Sequence, residues 1–264
     1  MSDIIVKKEK FYYTVKLNRP EKHNAFTPET ISELTEFFKM ADKDKFAGAI
    51  VLSGEGKSFC AGGDLEWMKS AVDHTLKENM ADSKKLFEMY EAAANCTLPV
   101  IGYLHGSVFG GGVGLAAICD IAVAEFDTRF CFSEVKLGLV PAVISSFVLK
   151  KMNMNKAKEL MLTGEVFEAP EAMAAGLIEF SGRELEAKAY VESVLNNIGK
   201  NGREATREVK RLISQLRFSD EKSTKEESIK VISERRVSAE GQEGIKSFLE
   251  KRKPAWAWSM PDNE

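Results

Sequence analysis

The sequence predicts an α/β protein, and three observations predict it. Strand-like and helical stretches interleave from the first residue to about residue 180. The strands change from alternating apolar spacing at the start to nearly continuous apolar runs further on, as strands do when they are buried more completely. From about residue 184 onward the strand signals disappear and charged helical segments follow.

The opening MSDIIVKKEKFYYTVKLN alternates, with Phe11, Tyr13, Val15 and Leu17 on one face of a half-buried strand. A helix begins at Thr27-Pro28, a hydroxyl N-cap followed by proline at the first helical position, and carries Ile31, Leu34, Phe37, Phe38 and Ala41 inward. AGAIVLSG (47–54), PVIGYLHG (99–106) and DIAVAEF (120–126) read as buried strands. SKKLFEMYEAAANC (83–96) reads as a helix, and APEAMAAG (169–176) as another, with Gly176 where a helix C-terminus wants it. The tail after residue 184 has too few apolar positions for its own core, so it is expected to pack on its own body or on a neighbouring subunit. Pro254 is expected to close its last helix, and an exposed Trp256 and Trp258 to favour an interface.

Bulk properties exclude several classes. A chain of 264 residues with 44% hydrophobic and 29% charged residues is globular, and no apolar run reaches the roughly 20 residues of a bilayer span. The first residues lack a signal-peptide core and the character of a transit peptide, which suggests a cytoplasmic protein. A net charge of −3 gives no pull toward polyanions, and the basic stretches REVKRLISQLR and SIKVISERR are interrupted by acids, as in a solvated helix face. Cys60, Cys96, Cys119 and Cys131 form no CxxC pair and are expected to be free buried thiols, and the 3 histidines complete no metal-ligand spacing.

Two familiar motifs fail. GEGKS (54–58) resembles the end of a phosphate loop, but the glycine required at position 51 is Val51. FGGGVG (109–114) does not fit G-x-G-x-x-G in register and lacks the acidic residue that should follow. No G-x-S-x-G elbow is present.

What remains is an ordered set: SFCAGGDL (58–65), HGSVFGGGVGLA (105–116) and FCFSEVKLGLVPA (130–142). The first follows a buried strand with small residues, and the second sets glycines at a helix entrance, so both offer bare backbone N–H groups. Two such donors aimed at one point stabilise negative charge on a carbonyl oxygen, by roughly 3 kcal/mol per donor. Glycine there would also let a bulky acyl group approach, and the helix N-terminus adds positive potential. In the third segment Glu134 is flanked by Phe130, Phe132 and Val135, which would desolvate it and raise its pKa.

With NRPEKHNAF (18–26) and GQEGIKSFLEKRKPAW (241–256), these segments resemble the enoyl-CoA hydratase/isomerase (crotonase) superfamily over nearly the whole chain. The resemblance implies a spiral of ββα turns over residues 1–190 and a helical trimerisation region over 191–264. It implies a homotrimer or hexamer acting on an acyl-CoA thioester, with no cofactor beyond the CoA moiety and no metal. The N–H groups of Ala61 and Gly111 become the hole for the thioester oxygen, and Glu134 the catalytic acid/base. Lys22, Ala25, Gly63, Asp64 and Leu65 fall where the family binds CoA, and Phe248 and Lys251 match C-terminal residues that reach CoA, in some members from a neighbouring subunit.

Members with two carboxylates carry a second glutamate where this chain has Gly114. Glu134 alone could add water across a double bond or shuttle a proton between two carbons, so hydration leads and isomerisation stays open. FGGGVGL followed by FSEVKLGLVPAVIS is most similar to bacterial methylglutaconyl-CoA hydratase-like members, and Pro141 is followed by AVISS instead of a glycine-rich run, which suits a branched or carboxylated acyl group. Glu125 and Asp64 stand as further acids that nothing in the sequence places over a substrate. Non-catalytic acyl-CoA binding and RNA binding are disfavoured by Glu134 and by the acidic charge.

Overall fold

The computed structural model describes residues 2–217 and 219–258. β1 (Ile4–Lys8) pairs antiparallel with β2 (Tyr12–Leu17), and α1 (Pro28–Asp42) follows, capped by a reciprocal Thr27–Thr30 pair. Then come β3 (Ala49–Gly54), α2 (Leu65–Ser70), α3 (Leu76–Asn95), β4 (Val100–Leu104), β5 (Ser107–Phe109) and α4 (Gly111–Ile118). β6 (Ile121–Glu125), β7 (Arg129–Cys131), α5 (Ala142–Val148), α6 (Met154–Thr163), β8 (Val166–Glu168), α7 (Ala169–Ala174) and β9 (Phe180–Gly182) complete the body. Four helices end the chain: α8 (Glu184–Gly199), α9 (Arg203–Leu216), α10 (Glu221–Val237) and α11 (Ala239–Leu249).

The main sheet runs β1-β2-β3-β4-β6-β9 and is parallel from β2 onward; a second sheet runs β5-β7-β8. Successive β4-β5-α4 and β6-β7-α5 units each send one strand to each sheet, which makes the expected spiral. An isolated parallel bridge from Cys60 to Val108 continues the second sheet into the 58–65 segment.

Burial explains why the central strands are apolar on both sides. On one face Leu34, Phe38, Tyr90 and Leu115 belong to the large core; on the other, Ala187, Val191 and Leu195 of α8 pack with Phe11, Ile101 and Val123. α8 therefore straddles residue 190, the boundary drawn from sequence, with its inward face on the sheet.

Three expectations need correction. The last helix stops at Leu249, and Lys251 in the left-handed region (φ 55) turns the chain before Pro254 is reached. Trp258 is not an exposed interface residue: its ring stacks on Phe11 at 4.8 Å, and its N–H donates to the Gly199 carbonyl at 2.8 Å. Trp256 likewise packs inward, against Gly244. Finally, the basic stretch at 207–217 is not simply a solvated face. Arg207 donates to the carbonyls of Asp42, Asp44 and Ala47 and to Thr97 Oγ1, while Lys210 meets the Leu98 carbonyl at 3.0 Å and Asp120 at 2.6 Å. Loop carbonyls left over between α1 and β3 and after α3 draw these cations inward. Among the described residues no helix is long and apolar enough to cross a membrane.

Candidate active site

The predicted segments converge through their backbones. Phe26 N–H donates to the Gly62 carbonyl at 2.7 Å, Asp64 N–H to the Phe26 carbonyl at 2.9 Å, and Phe109 N–H to the Cys60 carbonyl at 2.9 Å. The 18–26 loop, the 58–65 segment and the entrance of α4 are thus one hydrogen-bonded unit.

The glycine run at the start of α4 answers to this crowding. A Cβ on Gly111 would lie 2.7 Å from the Phe26 ring and 3.0 Å from Tyr90 Oη. The space expected for an approaching acyl group is therefore filled by protein, and glycine is required by packing. The Gly111 N–H opens α4 and finds no acceptor among the described residues. Tyr90 Oη donates to the Gly111 carbonyl at 2.7 Å and fixes the turn.

Ala61 differs. Its N–H donates to the His23 carbonyl at 3.0 Å, so the second expected donor is already engaged. His23 and Asn24 both adopt positive φ (50° and 56°), and Asn24 anchors the loop by donating to the carbonyls of Glu55 and Ser58.

Glu134 stands on a short 3-10 turn, Ser133–Leu137, placed by the buried Phe130 and Phe132, whose rings stack on Phe167 at 5.5 and 6.0 Å. Its Oε1 lies 3.5 Å from the Cβ position of Gly110, the residue before the Gly111 amide, and its buried Oε2 has no hydrogen-bond partner. Burial pushes its pKa above the ordinary glutamate range, against a smaller lowering by its own backbone amide.

At position 114, where two-carboxylate members carry their second acid, the chain as packed leaves no room for a side chain. A Cβ on Gly114 would lie 2.5 Å from Ile144 and 2.8 Å from Tyr90. Sequence reading did not single out Tyr90, Ile144 or the His23 carbonyl. Tyr90 lies on the apolar face of α3 with Met89 and Ala93, so its sequence gives no signal that separates it from an ordinary core residue.

The remaining candidates divide. Ala25 is buried, Gly63 bridges Phe26, and Lys22 and Leu65 are exposed on the same loop cluster. Asp64 serves the fold: it caps α2 by accepting from Glu66 N–H at 2.8 Å and pairs with Arg19 at 2.9 Å. Burial raises its pKa, but the Glu66 amide and the Arg19 guanidinium outweigh this and the net shift is downward. Phe248 is 82% exposed on α11, and neither it nor Lys251 hydrogen-bonds to the cluster among the described residues. Glu125 accepts from Tyr103 Oη and lines a separate cavity of about 700 Å³ beneath α8, on the other face of the main sheet. Among the described residues no group of His, Cys, Asp and Glu is arranged to hold a metal.

A ββα spiral that sets an unpaired, desolvated carboxyl beside a free helix-entrance amide has the equipment to move protons next to a polarised carbonyl. The sequence model of the family described as enoyl-CoA hydratase/isomerase matches residues 8–258. An enoyl-CoA hydratase of Alternaria alternata is 32% identical over 242 residues, covering 90% of this chain and 78% of that protein. A crotonyl-CoA hydratase of Syntrophomonas wolfei is 28% identical over 95% of this chain and 96% of that one. The crystal structure of an enoyl-CoA hydratase from Shewanella pealeana superposes with a TM-score of 0.92 at 33% identity, covering 96% of each chain. The chain belongs to the enoyl-CoA hydratase/isomerase family and has its crotonase fold. It is an enzyme of that class.

Proposed function

We propose that the chain hydrates the double bond of an α,β-unsaturated acyl-CoA, or runs the reverse dehydration, with Glu134 as the one carboxyl acid/base. The observation that carries this is the buried, unpartnered Glu134 Oε2 next to the Gly110–Gly111 turn. Glu134 takes a proton from water as the oxygen bonds to the β-carbon. The π electrons move toward the thioester, giving an enolate, and the same carboxyl returns the proton to the α-carbon. The Gly111 N–H meets the charge that builds on the thioester oxygen. The Ala61 N–H joins it by sharing or releasing the His23 carbonyl.

CoA is assigned to Lys22, Ala25, Gly63, Asp64 and Leu65, Asp64 acting through the loop it caps. Phe248 and Lys251 would contribute from a neighbouring subunit of a trimer or hexamer, a reading supported by exposed apolar residues along the last helices, including Ile213, Ile229 and Val237. Residues 191–264 would form this assembly region. The four buried free thiols fit a cytoplasmic setting.

Double-bond isomerisation is the second reading, favoured by Tyr90 and Ile144, which fill the volume where a second acid would hold the attacking water. Incubation with crotonyl-, 3-methylcrotonyl- and 3-methylglutaconyl-CoA in deuterated water, followed by mass spectrometry, separates the readings. Added water supports hydration, and 3-methylglutaconyl-CoA as the preferred substrate supports the methylglutaconyl subtype. A shifted double bond without added water overturns hydration in favour of isomerisation.

A further inference from the structure

The entrance of α4 has no side chain of its own to hold it in place. Residues 110, 111 and 112 are glycines, and the N-cap Gly110 sits at φ 49 and ψ −118 without a side-chain cap. The shape of the turn is kept from within: Val113 N–H donates at 2.9 Å to the Gly110 carbonyl, which belongs to the same peptide as the Gly111 N–H. Its direction is kept from outside, by one bond on each side of that peptide. Gly110 N–H donates at 2.9 Å to the carbonyl of Cys131, on the strand that leads to Glu134, and Tyr90 Oη of α3 donates to the Gly111 carbonyl at 2.7 Å. A turn hung from the first bond alone could pivot about it, and the second bond stops the pivot. Tyr90 is itself firmly held: it is fully buried, its ring edge-on to Phe26 at 6.5 Å and tilted against Phe147 of α5 at 5.5 Å.

Resting on the reading of the Gly111 N–H as the donor to the thioester oxygen, we infer that Tyr90 is a positioning residue of the reaction: its hydroxyl, through the Gly111 carbonyl, keeps that N–H in aim. A buried phenol whose proton is spent on a main-chain carbonyl is open neither to substrate nor to proton transfer, so it acts only through the turn. Aim matters because a donor serves the developing charge only at hydrogen-bond distance, and a misplacement of about 1 Å can cost about a hundredfold in rate. The charge on the thioester oxygen is largest in the transition state, so the loss falls on kcat more than on binding. If Tyr90 only filled space, its ring alone would serve.

The test compares wild type with Tyr90→Phe, which keeps the ring and drops the hydroxyl. Turnover of crotonyl-CoA gives kcat and KM, and isotope-edited infrared spectra of bound butyryl-CoA, labelled with carbon-13 at the thioester carbonyl, read the polarisation of that carbonyl without turnover. In wild type the bound carbonyl stretch is expected to lie below its value in free butyryl-CoA. In Tyr90→Phe this downshift is expected to shrink by about half, with kcat down about ten- to a hundredfold and KM within about twofold. Placing 4-aminophenylalanine at position 90 returns a donor to the same point and is expected to restore both. An unchanged downshift and kcat in Tyr90→Phe would overturn the positioning role and leave the Gly111 reading standing. So would a folded 4-aminophenylalanine protein that has lost the downshift. Turnover by wild type with no downshift at all would defeat the Gly111 reading, and this inference with it.

Discussion

Tyr90 and Gly114 approach so closely that no side chain fits between them: a Cβ on Gly114 would stand 2.8 Å from the phenol ring, with Ile144 closing the other side at 2.5 Å. A carboxyl cannot simply be restored at this position. Gly114→Glu is expected to lose about 1–3 kcal/mol or more of stability through overpacking and to gain no hydration rate. Urea denaturation with crotonyl-CoA turnover checks both. A stable and faster Gly114→Glu protein would mean that the pocket has room for a second acid.

Glu134→Gln keeps the shape and removes the base, so kcat is expected to fall by about two to four orders of magnitude, with acyl-CoA binding largely kept. Stability should respond with a definite sign. Burial raises the folded-state pKa of Glu134, so the native state holds this proton more tightly than the unfolded chain does. The stabilising contribution is full below the ordinary glutamate pKa and is lost as pH rises through the folded value. Glu134→Gln should therefore raise Tm at neutral and alkaline pH, and the gain should vanish in acid. Calorimetry across pH reads the difference.

Arg207 is the polar hook of the helical region, spending its guanidinium on three loop carbonyls and a threonine hydroxyl. Arg207→Met leaves those acceptors unmet and should cost about 2–4 kcal/mol. Denaturant unfolding measures it; a loss within about 0.5 kcal/mol, as for an ordinary surface substitution, would show the hook to be idle.

The thiols are all buried, and burial pushes Cys60 and Cys119 up to about 12. An aromatic disulfide reagent at neutral pH should leave the native protein essentially unlabelled and titrate all 4 cysteines after unfolding. Fast labelling of Cys60 in the folded protein would indicate that the 58–65 segment opens readily.

How legible each feature was depends on how far its cause lies along the chain. Phe11, Tyr13, Val15 and Leu17 announce their strand because burial alternates locally, and Thr27-Pro28 announces a helix because capping is local chemistry. Glu134 was readable because the aromatic residues that desolvate it are its neighbours in sequence. Tyr90 and Ile144 were not, since they sit on α3 and α5 and their task is set by contact with the glycines of α4, which lies apart from both in sequence. The engagement of Ala61 with His23 left no mark at all: it is a bond between main-chain atoms. Arg207 reads like any helix-surface cation until the carbonyls it meets, about 160 residues earlier, are brought under it. Trp258 misled for the same reason, its partner being Phe11 at the other end of the chain.

The proposed convergence of the Gly111 amide, the Ala61 amide (once it shares or releases the His23 carbonyl) and Glu134 on one thioester is tested most directly with a saturated substrate. Butyryl-CoA in deuterated water can exchange its α-proton only where an enolate is stabilised and a base stands within reach. Wild-type protein should catalyse that exchange, and Glu134→Gln should bind the same thioester and exchange nothing measurable. Exchange at the wild-type rate without the carboxyl, or none in the wild type, would contradict the arrangement.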